Sequence, residues 1–175
     1  MKISLVIPMY NESSIIDEAL NTFSSYMSET FEDWELIFVD DWSSDNCGDA
    51  VVAAHEKNAR IRLCRYTPNR GKGHAVRTGV LAAQGDLILF TDCDNAYGTE
   101  AVGRLAQTLI DSGADIVVGS RNLSKDGYEG YTLLRKLASK AYIKVIGIAA
   151  VYSTNGKCKF FSCSLYASAS SKYFV

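Results

Sequence analysis

Proline, histidine and paired cysteines are scarce in this chain of 175 residues, and each scarcity closes off a class of protein. The only prolines are Pro8 and Pro68, and no linker, repeat or low-complexity block interrupts the sequence. Five cysteines (Cys47, Cys64, Cys93, Cys158 and Cys163) form no Cys-x-x-Cys pair, and their number is odd. The only histidines are His55 and His74, so neither a disulfide scaffold nor a zinc site is indicated, and a reducing compartment fits. No apolar run is long enough to span a membrane. The first run, Ile3 to Met9, is cut by Asn11 and Glu12 before it reaches the length of a signal peptide. A cytoplasmic chain is expected, able to lie peripherally on the cytosolic face of a membrane. Acidic residues stop at Glu129: residues 1–129 hold 11 basic and 20 acidic side chains, whereas residues 130–175 hold seven basic and none acidic.

Hydrophobic residues make up 47% of the sequence and aromatics 11%, enough for one domain with a buried core. Apolar runs of strand length alternate with helical patterns. They predict strands over residues 2–9, 35–40, 61–66, 86–91 and 115–119, and helices over 12–27, 46–58, 73–84 and 99–111. A β-α-β-α series of this kind implies an α/β fold with a mostly parallel sheet and right-handed crossovers. Polar motifs gather at the strand ends.

The most informative run is Asp86 to Asp94, a short apolar strand that delivers Asp92 and Asp94 at its C-terminal end, where open α/β sheets bind ligands. Residues two apart on a strand point the same way. Both carboxylates can then reach one hard divalent cation, Mg2+ or Mn2+, which keeps its other positions for water and phosphate oxygens. Asp40 and Asp41 leave the second strand together, where a carboxylate can accept hydrogen bonds from a nucleobase imide or a ribose hydroxyl. Adjacent acids repel each other and need a ligand or donor to satisfy them. Ser43 and Asp45 also read as caps for the next helix. The segment Asn69-Arg70-Gly71-Lys72-Gly73 lacks the spacing of a P-loop; its glycines allow close backbone approach, and Lys72 with the following helix start gives positive potential suited to a diphosphate. His74 reads as a helix-start residue. Arg121, in Gly119-Ser120-Arg121, can grip phosphate oxygens bidentately.

In their order, Ile7 to Glu12, Val39 to Asp45, Asn69 to His74, Asp92 to Asp94 and Gly119 to Arg121 resemble the motifs of the inverting family 2 glycosyltransferases with the GT-A fold. The branch of dolichyl-phosphate mannose synthase and polyprenyl-phosphate glucosyltransferases is the most similar. The resemblance covers roughly residues 2 to 145. It implies that Pro8, Tyr10, Glu12, Val39 and Asp41 line a nucleotide pocket, that Lys72, Asp92 and Cys93 complete donor binding, and that Asp92 and Asp94 hold the metal. Asp94 and Arg121 are then the catalytic pair. Trp42 stands where the family usually has glycine. A predicted helix over residues 131–150 has Lys136, Lys140 and Lys144 one turn apart, a stripe that suits either solvent or anionic lipid headgroups. Arg135 and Ser139 on it resemble the lipid-phosphate acceptor motif of the polyprenyl branch, with Arg121 facing the same phosphate.

From Ser153 to Lys159 the chain departs from the family, reading Ser-Thr-Asn-Gly-Lys-Cys-Lys where relatives carry Asp-Thr-Gln-Cys-Gly-Phe-Lys. The expected organisation is a glycosyltransferase domain over residues 1–150 and a divergent or truncated tail over 151–175 without clear period, leaving the GT-A sheet incomplete at its C-terminal end. The expected function is metal-dependent transfer of a sugar from a UDP- or GDP-linked donor to a dolichyl or undecaprenyl phosphate at a membrane surface, with no nucleic-acid partner. The alternative is a nucleotide-sugar binding module without turnover.

Overall fold

The structure is a computed structural model that describes residues 1–119 and the strand Tyr166–Ala167. Five strands, β1 (Ile3–Met9), β2 (Trp34–Asp40), β3 (Ile61–Arg65), β4 (Leu87–Phe90) and β5 (Tyr166–Ala167), form one sheet in the order β3-β2-β1-β4-β5. The first four are parallel and β5 runs antiparallel to β4. Among the described residues three helices, α1 (Ile16–Thr30), α2 (Cys47–Lys57) and α3 (Lys72–Ala82), connect the parallel strands, and α4 (Thr99–Ser112) follows β4. Every residue of β1 and β2 is buried, as two-sided burial of a parallel sheet requires.

Strand alternation sorts these residues into two cores. Ile3, Leu5 and Ile7 of β1 and Trp34, Leu36 and Phe38 of β2 face α1, α2 and α4, meeting Phe23, Met27, Val51 and Val102. Val6, Ile37 and Val39 point to the opposite face and meet Ala75 and Val80 of α3. Helix α3 approaches closely because Gly79 has no side chain: a Cβ there would lie 2.3 Å from Val6 Cγ1 and 2.8 Å from Val39 Cγ2.

At the N-terminal edge of the sheet, the α3 face carries a buried acid. Glu35 Oε1 accepts hydrogen bonds from Ser4 Oγ and the Gln84 N–H, both at 2.7 Å, and Oε2 accepts from Arg62 at 2.7 Å. Burial raises the carboxyl pKa, but these donors and Lys2 outweigh it and hold the group below its usual range.

The strand expected over residues 115–119 is not formed. Val118 makes an isolated bridge, and Ile116 and Val118 are exposed. The ladder position beside β4 is taken instead by Tyr166–Ala167, where the sequence shows no strand period. Apolar alternation marks a segment able to pair, whereas pairing itself depends on which edge is free. The predicted helix over 131–150 lies outside the described residues.

Candidate active site

The strand order reverses at β1, which pairs with β2 on one side and with β4 on the other, and open α/β sheets form their ligand crevice at the C-terminal ends of the strands at such a switch point. A cavity of about 410 Å3 lies there. Its wall contains Pro8, Tyr10 and Glu12 from the end of β1, Asp41 after β2, Lys72 at the start of α3, and Asp92, Cys93 and Asp94 after β4. Eight positions singled out in the sequence therefore meet at one cavity of ligand size. Val39 does not line it: its side chain is fully buried against α3, because position 39 alternates to that face of β2.

Hydrogen bonds between loops hold the rim. Ser43 Oγ accepts the Asn11 N–H at 2.9 Å, Asn11 Oδ1 accepts the Ser44 N–H at 2.8 Å, and Asp45 Oδ2 accepts the Ser13 N–H at 2.9 Å. The expected capping by Ser43 is thus replaced by a bond to the β1–α1 loop. Asn46 occupies the cap position of α2 without a side-chain cap bond, while Asp45 Oδ1 takes the Cys47 N–H at 3.2 Å. Burial pushes the Asp45 carboxyl up, but the bonds from Cys47 and Ser13 prevail and bring it down to about 2.

The adjacent acids divide their roles. Asp40 is fully buried, with Arg65 Nε 2.8 Å from Oδ2 and the Ser43 N–H donating to Oδ1 at 2.8 Å. It is a structural acid. Asp41 faces the cavity, and its Oδ1 accepts from the Tyr66 hydroxyl and the Arg70 N–H, each at 2.7 Å. Asn69 Nδ2 donates to the Asp41 carbonyl at 2.8 Å, so the loop before α3 is moored to this one residue.

Trp42 has a φ of 60°, the left-handed region that favours glycine. The backbone turn usual for a glycine is kept, with a half-exposed indole on it. Trp42→Gly and Trp42→Ala remove the same indole contacts but differ in backbone strain, so the glycine variant is expected to be the more stable by about 1 kcal/mol. Urea unfolding of the two variants measures that difference.

Strand β4 ends at Phe90, so Asp92 and Asp94 stand on the following turn rather than on the strand itself. They still reach the same cavity. Asp94 Oδ1 accepts the Ala96 N–H at 3.1 Å, and Asn95 takes a φ of 48° that asparagine tolerates. Lys72 Nζ forms an ion pair with Asp92. Burial, then the charges of Asp94, Asp45 and Asp92, raise the Glu12 carboxyl above its usual range. Among the described residues no three side chains form a ready-made metal cage. A half-buried Asp92 and an exposed Asp94 form a carboxylate donor set that fits a hard cation drawing its remaining ligands from phosphate and water. Cys93 is buried, and burial, then Glu12 and its other neighbours, push its thiol up to about 12, which keeps it protonated.

Residues 4–173 match glycosyl transferase family 2. The chain belongs to that family. A dolichyl-phosphate beta-glucosyltransferase of Trichomonas vaginalis is 35% identical over 160 residues, which cover 85% of this chain and 47% of the relative. A dolichol-phosphate mannosyltransferase of Pyrococcus furiosus is 31% identical over 149 residues, covering 85% and 41%. The family 2 chain thus spans less than half the length of these curated relatives. Among solved structures, a mannosyltransferase of Pyrobaculum calidifontis, in complex with GDP-Man and Mn2+, superposes with a TM-score of 0.57 at 26% identity over 67% of this chain and 35% of its own. The sheet of the family 2 chain is that of the GT-A fold.

Arg121, Arg135 and Ser139 lie outside the described residues, as does the departure at Ser153 to Lys159. Sequence reasoning missed Tyr66, which ends the third apolar run and lies 25 residues from its partner Asp41. The aromatic at a strand's C-terminal end was the only signal of it. His74 meets the Tyr66 ring edge-on at 4.9 Å between centroids, a packing role consistent with its place at the start of α3. Among the described residues, no helix is long and apolar enough to cross a membrane.

Proposed function

We propose that this family 2 chain binds a nucleoside-diphosphate sugar and transfers its sugar, with inversion, to a polyprenyl phosphate. The observation that carries this reading is the convergence of Asp41, Lys72, Asp92 and Asp94 on one cavity at the switch point of the sheet. Asp41 accepts a hydrogen bond from the base, and Lys72 with the N-terminus of α3 holds diphosphate oxygens. A donor entering the cavity competes for both members of the Lys72–Asp92 pair. Asp92 and Asp94 would hold Mg2+ or Mn2+, which when bound neutralises charge on the departing diphosphate. The manganese in the Pyrobaculum calidifontis mannosyltransferase supports that choice.

Inversion requires one direct displacement at the anomeric carbon and no covalent sugar–enzyme intermediate. A Cys93 thiol held protonated and buried is unsuited to act as a nucleophile, which favours the direct route. A phosphate acceptor, already anionic near neutrality, needs cations to position it rather than a general base. By resemblance Arg121, Arg135 and Ser139 supply that grip, and the acceptors named for the two dolichyl-linked relatives point to the same lipid class.

The test is transfer of labelled sugar from UDP- or GDP-linked donors to a polyprenyl phosphate, with binding measured in parallel by calorimetry. Asp41→Ala is expected to weaken donor binding about tenfold while metal dependence persists, because a base contact stabilises ground and transition states alike. Unchanged donor affinity would remove Asp41 from the pocket. Donor binding without transfer to any polyprenyl phosphate would favour the binding module.

A further inference from the structure

Asp41 has two carboxylate oxygens, and the fold has already used one of them. Oδ1 accepts the Tyr66 hydroxyl and the Arg70 N–H, each at 2.7 Å, which fills both of its lone-pair directions. Among the described residues no donor reaches Oδ2. Asp41 is only 3% exposed, yet it lines the cavity, so the remaining oxygen is the acceptor it offers to a ligand there.

We propose that Tyr66 is a specificity-determining positioning residue, which makes Asp41 a single acceptor and so selects a uracil base over guanine. The inference rests on the donor-binding reading above. Uracil presents one imide N–H between two carbonyl oxygens, and one free carboxylate oxygen satisfies it. Guanine presents a ring N–H beside an exocyclic amino group, two donors that suit both oxygens of a carboxylate together. Against a carboxylate whose other oxygen is occupied, the two parallel guanine donors converge on one oxygen and cannot both align with it, so one is left poorly paired. The hydroxyl of Tyr66 is fixed in turn, because its ring packs edge-on against His74 and rises from the end of β3. Arg70 donates from the backbone and cannot rotate away, which leaves the tyrosine as the adjustable member.

The experiment is calorimetric titration of the full chain with UDP and GDP in the presence of Mn2+, for the wild type, Tyr66→Phe and Asp94→Asn. The expected result is that the wild type binds UDP at least about tenfold more tightly than GDP, the cost of one poorly paired buried donor. Tyr66→Phe is expected to bring the ratio to within about threefold by releasing a lone pair on Oδ1. A merely structural role for Tyr66 would weaken both nucleotides alike and leave the ratio unchanged, which would overturn the proposal. Equal binding of UDP and GDP by the wild type, both weakened in Asp94→Asn, would also overturn it while leaving the donor site standing, whatever the folding of the Tyr66 variant. Failure of both nucleotides to bind the wild type would remove the donor site and this inference together.

Discussion

Asp94→Asn is expected to weaken Mn2+-dependent binding of a nucleoside-diphosphate sugar by tenfold or more, and to slow sugar transfer by a larger factor. Asparagine keeps the shape and the oxygen that accepts the Ala96 N–H, so the turn after β4 is retained and only the charge is lost. Asp94 is exposed, so little folding stability is at stake. The lost charge matters for two reasons. A hard divalent cation prefers anionic oxygen, and the diphosphate brings negative charge of its own that the cation must offset. Loss of transfer exceeds loss of binding because charge on the leaving diphosphate grows in the transition state. A second readout comes from Glu12, whose carboxyl is raised by burial and then by Asp94. Removing that neighbour should lower the Glu12 pKa, measurable by carboxyl NMR titration in metal-free buffer. Donor affinity equal to wild type in saturating Mn2+ would end the metal role of Asp94.

Glu35→Ala is expected to cost about 2–4 kcal/mol of folding stability in urea unfolding at neutral pH. The carboxylate joins Ser4 of β1, Arg62 of β3 and Gln84 of the loop after α3, and its removal leaves the Gln84 N–H without its acceptor. A net hydrogen bond contributes about 1 kcal/mol, and breaking a buried ion pair costs more than a neutral contact. The pH dependence follows from the depressed folded pKa of Glu35. Its contribution is complete above the ordinary value of 4.5 and is lost as pH falls through the lower folded value. Glu35→Gln should therefore show a flatter loss of stability than wild type between about pH 5 and pH 3. Asp45, held at about 2, has the same sign, and Glu12, which is raised, has the opposite one. Both are present in wild type and variant, so they cancel in the difference. Parallel pH profiles for the two proteins would show that Glu35 is held by packing rather than by charge.

Much of the site was legible because its residues sit at strand ends. A run such as Leu87 to Phe90 announces a buried strand, and whatever follows it must emerge at the C-terminal edge of the sheet. That reasoning brought Glu12, Asp41, Lys72 and Asp92 to Asp94 to one cavity. It failed for Val39, where motif membership implied a pocket wall and the two-residue period of the strand placed the side chain beneath α3. It also failed for residues 115–119, since an apolar run shows an ability to pair but not which edge is open.

The sequence by itself determined the alternation of strands and helices, the four parallel strands and the positions where polar groups leave them. These follow from local periodicity and turn chemistry, which neighbouring residues settle among themselves. Tertiary structure alone decided which of two adjacent acids turned inward and which came to line the cavity. Asp40 turned inward to Arg65 and Asp41 outward to the cavity, a choice made by a strand and a loop more than 20 residues away. Hydrogen-bond saturation is a property of atoms brought together by the fold, so the single free oxygen of Asp41 could not be read from any local pattern.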